Sequence, residues 1–83
     1  MFYVYIIKSV SSGIFYKGFT LNPLKRLEQH NLGESRYTAS KGPWELVYFE
    51  KFDNKRDALI REKQIKKYNH NYLNKLIANF MFD

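Results

Sequence analysis

The sequence predicts an α+β domain: a small three-stranded antiparallel sheet flanked by helices, in the order β-β-α-β-α-α. Three observations predict it. The chain opens with two runs rich in β-branched and aromatic residues on either side of a Ser-Ser-Gly turn. A third such run begins at Trp44. Helix-cap signals stand at Asn22-Pro23, at Asp53-Asn54 and around Asn69 and Asn71.

Residues Phe2 to Lys8 form an almost unbroken apolar run, the pattern of a strand buried on both faces. Ser11-Ser12-Gly13 supplies turn chemistry, and Ile14 to Thr20 reads as the returning strand of a hairpin. Asn22 suits a helix cap and Pro23 a first helical position; that helix runs to about Leu32, where Gly33 stops it. Gly33 to Pro43 is a polar loop, and "WELVYFEKF" (Trp44 to Phe52) is a third strand. Asp53 or Asn54 can cap a second helix over about Lys55 to Tyr68. Asn69 and Asn71 break and restart the chain, and Tyr72, Leu73, Leu76, Ile77 and Phe80 recur at helical spacing.

With 83 residues the expectation is one domain spanning 1–83. Hydrophobic residues make up 45% of it, enough for one core, and the absence of cysteine removes disulfides and thiolate metal sites. No apolar run approaches the ~20 residues that cross a bilayer, and no secretory leader pattern opens the chain. The expected setting is therefore cytoplasmic, without a membrane partner. A net charge of +6 suits a polyanion such as nucleic acid, and equally suits mere solubility.

Strand alternation puts Tyr3, Tyr5 and Ile7 on one face and Ile14, Tyr16 and Gly18 on one face of the returning strand. A hairpin loop of two or four residues would set Tyr5 opposite Gly18 and Ile7 opposite Tyr16. The two tyrosines are then diagonal neighbours, with backbones about 7–8 Å apart. A loop of three would separate them. On the first helix Arg26 and His30, four apart, share a stripe beside the core-facing Leu24 and Leu27. Such a pair alone also fits a solvated helix edge. In "RDALIREKQIKKY" Glu62 falls in the middle of the stripe marked by Ala58, Leu59, Ile65 and Tyr68, while Arg61, Lys63, Lys66 and Lys67 fall mostly elsewhere. A carboxylate there is either half of a buried ion pair with an arginine or the ligand of a cation.

These residues together resemble the GIY-YIG nuclease superfamily, especially its small stand-alone bacterial members, over nearly the whole chain. "YVY" (Tyr3-Val4-Tyr5) takes the place of the first signature and "YKG" (Tyr16-Lys17-Gly18) that of the second. "LKRLEQHNLG" resembles the family's first helix, "YTASKGPWELVYFE" the approach to its third strand, and "ALIREKQIKKY" the helix with its metal-binding glutamate. Tyr3 replaces the first glycine and Lys17 the central isoleucine; Phe19 stands where some relatives carry a lysine.

The resemblance implies a DNA endonuclease that hydrolyses phosphodiester bonds with one divalent ion, Mg²⁺ or Mn²⁺, held by Glu62. Tyr5 or Tyr16 would take the proton of the attacking water, its ionised form favoured by the cation and by Arg26. His30 would accept that proton in turn or serve as the base. Arg26 would meet the charge growing on the phosphate, and Asn74 is the nearest match to an asparagine on the family's last helix. Lys17, Lys25, Arg36, Lys41, Lys63 and Lys66 are the candidates for tracking a DNA backbone. Repair or processing of branched DNA is the expected setting, with a protein partner for specificity left open. The alternative is a catalytically weak nucleic-acid-binding module on the same fold. A third reading, a structural or protein-partner domain, predicts neither binding nor cleavage. His70, between two asparagines, reads as a surface cap residue, and Trp44 as core.

Overall fold

The computed structural model describes residues 1–80 and places β1 (Phe2–Ser9) in the middle of a three-stranded antiparallel sheet, between β2 (Phe15–Thr20) and β3 (Trp44–Phe52). The end of the expected 1–83 domain, residues 81–83, lies outside the described residues. The central position accounts for the apolar run of β1. Leu27 of α1 (Pro23–Asn31) packs with Tyr5, Ile7 and Trp44 on one face; α2 (Lys55–Lys66) and α3 (His70–Ala78) bring Ala58, Ile65 and Leu73 against Val4 and Ile6 on the other. Val4, Tyr5, Ile6 and Ile7 are consequently all sealed from solvent. The order is β-β-α-β-α-α, as expected.

The hairpin closes with four residues. Lys8 pairs with Phe15, the Ser9 N–H donates to the Ile14 carbonyl at 2.9 Å, and Gly13 turns the chain with φ +77°. This parity puts Tyr5 opposite Gly18 and Ile7 opposite Tyr16. β2 begins one residue later than expected, at Phe15. On the other side of β1, the pairing with β3 slips between Ile6 and Ile7, so that Val47 is the extra residue of a bulge.

Asn22 caps α1, its side chain accepting the Lys25 N–H at 3.1 Å, and Gly33 ends the turn with φ +79°. Leu24, expected on the core side, is 70% exposed. The stripe that meets the sheet instead runs through Arg26, Leu27 and His30, because α1 docks by its polar, hydrogen-bonding residues rather than by its most apolar line. Asn31 fastens the end of this helix to β3: its side chain accepts the Trp44 N–H at 2.7 Å and donates to the Trp44 carbonyl at 3.1 Å. Trp44 is core, and its indole N–H donates to the Thr38 carbonyl at 3.0 Å.

Asn54, rather than Asp53, caps α2, which ends at Lys66 before reaching Tyr68. Asn69 caps α3, and Asn71 lies inside it. Phe80 follows α3 and packs its ring 5.0 Å from Tyr48 and 5.1 Å from Phe49. Arg61 was expected on the solvent side of α2. It is instead largely covered, donating to Glu50 at 3.0 Å and to the Tyr68 hydroxyl at 3.1 Å, while the Tyr48 hydroxyl donates to the same Glu50 oxygen at 2.7 Å. The arginine–carboxylate pair considered for Glu62 thus belongs to its neighbour.

Candidate active site

Tyr5 and Tyr16 stand on the α1 face of the sheet with ring centroids 6.5 Å apart. α1 sets the His30 imidazole against both, 5.9 Å from the Tyr5 ring and 5.1 Å, edge to face, from the Tyr16 ring. His30 is 1% exposed, and both of its ring nitrogens are engaged. Nε2 lies 2.8 Å from the Tyr5 hydroxyl and Nδ1 2.6 Å from the Thr38 hydroxyl. The missing side chain of Gly18 is what admits the Tyr5 ring, whose atoms fill the place of a Cβ.

The electrostatics of the Tyr5 hydroxyl tie the set together. Burial pushes its pKa up to about 12; Arg26 opposes the rise as a hydrogen-bond donor and a positive charge, while the negative charges of Tyr16 and Glu62 add to it. Arg26 was expected to favour the ionised phenol, but desolvation is the larger effect here and Tyr5 is held protonated. Burial, followed by the Arg26 charge, lowers the His30 pKa to about 4, so the imidazole is neutral at pH 7. Arg26 is further braced by Gln29, whose side-chain oxygen accepts from it at 3.0 Å.

Glu62, on the opposite helical layer, is near enough for its charge to act on the Tyr5 hydroxyl. Its side chain is 17% exposed, and its one ion pair among the described residues is a loose 3.7 Å contact with Lys66, itself half exposed. Among the described residues no group of three or more His, Asp or Glu gathers, so the donor set is one accessible carboxylate oxygen pair. Such a set fits a hard ion that keeps most of its own water, as Mg²⁺ does, and does not fit a zinc-type cage.

Tyr5, Tyr16 and His30 therefore pack together, and the charges of Arg26 and Glu62 act on the Tyr5 hydroxyl. Asn74 does not join them: it is exposed on α3, and none of the cluster's hydrogen bonds reaches it. Lys17, opposite Ile6 and so turned to the other face from Tyr16, lines an open hollow with Phe15, Tyr16, Tyr37 and Lys66. Lys25 and Arg26 share a second hollow at the start of α1. Lys41 lies over the Tyr37 ring, 4.4 Å from its centroid, whereas Arg36 and Lys63 are exposed on the loop and on α2. His70 begins α3, beside the Asn69 cap, with its ring 4.7 Å from Phe15.

One residue at the centre and one at its border escaped the sequence reading. Thr38 is completely buried against His30, whereas Tyr37 packs 5.7 Å from Tyr16 but stays 56% exposed. Both lie in a polar loop whose periodicity carries no face, so nothing in the local pattern marks Thr38 as inward.

The profile of the GIY-YIG catalytic domain matches residues 1–76. A UPF0213 protein of Clostridium perfringens is 46% identical over 80 residues, covering 95% of this chain and 85% of its own. Another, of Pediococcus pentosaceus, is 41% identical over 66 residues, covering 78% and 68%. The solution NMR structure of a UPF0213 protein from Bacillus halodurans superimposes with a TM-score of 0.59 at 30% identity, over 94% of this chain and 84% of that one.

Proposed function

Because the chain belongs to the GIY-YIG catalytic-domain family, we propose that it is a metal-dependent DNA endonuclease whose chemistry centres on the Tyr5 hydroxyl. The observation that supports this reading is the packing of Tyr5, Tyr16 and His30, with Tyr5 hydrogen-bonded to His30 at 2.8 Å, where the charges of Arg26 and Glu62 also act. Phosphodiester hydrolysis needs a proton acceptor for water, positive charge for the phosphoryl oxygens and a means of stabilising the departing oxygen. The cluster holds residues suited to the first two needs.

Arg26 presents a planar guanidinium to the phosphate. The Tyr16 hydroxyl makes no hydrogen bond among the described residues and borders the open hollow, so it is free to orient water or substrate. Tyr5 lies deeper and connects to His30, which is neutral and can take a proton. Glu62 would hold the divalent ion, Mg²⁺ or Mn²⁺, which when bound supplies charge neutralisation at the phosphate. Lys17 and Lys66 border the same hollow and would meet the flanking backbone. Processing of branched or damaged DNA during repair is the biological role consistent with this chemistry.

A second reading, a nucleic-acid-binding module with little catalysis, draws on the burial that keeps Tyr5 protonated. One experiment separates them. The purified protein is incubated with supercoiled, single-stranded and branched DNA in Mg²⁺ or in EDTA, beside the Glu62→Gln variant. Cleavage that needs both the metal and Glu62 supports the nuclease. Salt-sensitive binding without cleavage supports the module, and cleavage indifferent to Glu62 removes the assigned mechanism.

A further inference from the structure

The hydrogen bonds around His30 form a line whose direction can be worked out from donors and acceptors. The line runs from Tyr5 through His30 and Thr38 to the carbonyl of Ser35. Its far end is unambiguous, because a backbone carbonyl can only accept. Leading to it stand two hydroxyls, each with one proton, and a neutral imidazole with one proton on either of two nitrogens.

Two arrangements are conceivable. In the first, Tyr5 donates to His30 Nε2, His30 Nδ1–H donates to Thr38, and Thr38 donates to the Ser35 carbonyl. Every donor then has an acceptor. In the second, Thr38 donates to Nδ1 and Nε2–H donates to Tyr5. The O–H of Tyr5, on a residue only 1% exposed, would then have no acceptor among the described residues. A buried hydroxyl without an acceptor is costly. The Ser35 carbonyl would lose its Thr38 donor as well. The low His30 pKa, which keeps the ring neutral, is what leaves the tautomer as the remaining variable.

We propose that Thr38 is a positioning residue that holds His30 in the tautomer with its proton on Nδ1, so that the bare Nε2 accepts the Tyr5 proton. Thr38 is well placed for this. Its side chain is completely buried, and its carbonyl is tied by the Trp44 indole N–H at 3.0 Å and the Lys41 N–H at 3.1 Å. The backbone that carries the hydroxyl is therefore held in place, and the burial of the side chain keeps the hydroxyl against His30. In the reaction, Tyr5 would pass its O–H proton to Nε2 as its oxygen takes a proton from the attacking water. The phenol ends neutral, His30 becomes an imidazolium with Nδ1–H still bonded to Thr38, the hydroxide electron pair forms the new bond to phosphorus, and the P–O bond to the departing oxygen breaks with its electron pair kept by that oxygen. That catalytic half rests on the nuclease reading; the tautomer does not.

The tautomer is read directly by long-range ¹H–¹⁵N correlation of the two imidazole rings near pH 7, with a His70→Gln variant separating them. The expected spectrum has His30 protonated at Nδ1 and bare at Nε2 in the wild-type protein. An Nε2-protonated ring would overturn the proposal whether or not the protein cleaves DNA. Thr38→Val removes the hydroxyl at nearly constant volume and should turn His30 into a tautomer mixture. It should also lower kcat roughly tenfold with KM unchanged. Thr38→Ser should restore both the signature and the rate. A Val variant with an unchanged tautomer and rate would defeat the positioning role. Failure of every DNA substrate, with the wild-type tautomer as expected, would defeat the nuclease reading alone.

Discussion

Gly18 and Tyr5 occupy the same space: a Cβ built on Gly18 would stand 2.6 Å from the Tyr5 hydroxyl oxygen and 2.7 Å from the ring carbon that bears it. The glycine of the second signature is thus a vacancy on β2 cut for the tyrosine of β1. Gly18→Ala should displace the phenol from His30. We expect a loss of about 1–3 kcal/mol in stability from overpacking. We also expect roughly 100-fold slower cleavage from misplacement of the reacting groups. Urea denaturation and single-turnover kinetics measure the two effects, and a variant that keeps full activity would show that the Tyr5 position is not critical.

His30 makes the fold sensitive to acid. Its folded-state pKa, about 4, lies below the ordinary 6.5, so the unfolded chain binds the extra proton first. The associated stability is present above pH 6.5 and is lost as pH falls through 4, by on the order of 3 kcal/mol in all. Urea midpoints between pH 7.5 and 4 should fall along this window. His30→Gln should be less stable at neutral pH but show a flatter acid slope; an equal slope would assign the sensitivity to other groups.

Tyr5 acts at the opposite end of the scale. Its folded-state pKa is raised to about 12 from 10.0, so its contribution is complete below pH 10 and is lost as pH rises through 12. Burial and the Glu50 carboxylate raise Tyr48 to about 12 as well, so ultraviolet titration should find two tyrosines ionising late, and Tyr5→Phe should halve that late step while Tyr48 keeps the rest.

Glu62 separates chemistry from stability. Its loose pair with half-exposed Lys66 contributes no more than about 0.5 kcal/mol. Glu62→Gln should therefore melt within a degree or two of the wild type while losing metal-dependent cleavage. A large drop in melting temperature would reveal a structural role for the carboxylate.

Arg61 is the converse case. It braces Glu50, Gln64 and Tyr68, and removing it strands the Glu50 carboxylate beside the Tyr48 hydroxyl. Arg61→Ala should cost about 1–3 kcal/mol. The Arg61→Ala/Glu50→Ala double variant should be less destabilised than the sum of the single variants, a coupling that chemical denaturation can read.

The strand and helix order and the Asn22 cap were legible in the sequence, because caps and alternation are decided within a few residues of chain. The structure chose Asn54 over Asp53, made Asn69 the cap of α3, and set the loop parity on which the shared face of Tyr5 and Tyr16 depended. Which residue of α1 faces inward, and whether Arg61 or Glu62 carries the inner ion pair, were not legible, since amphipathic periodicity ranks side chains by polarity and these sites bury polar ones. Thr38 and the protonation states of Tyr5 and His30 belonged wholly to the tertiary structure. His30 meets Tyr5 across 25 positions of sequence and Thr38 across 8. Desolvation is a property of everything packed around a group, and no stretch of neighbouring residues contains it.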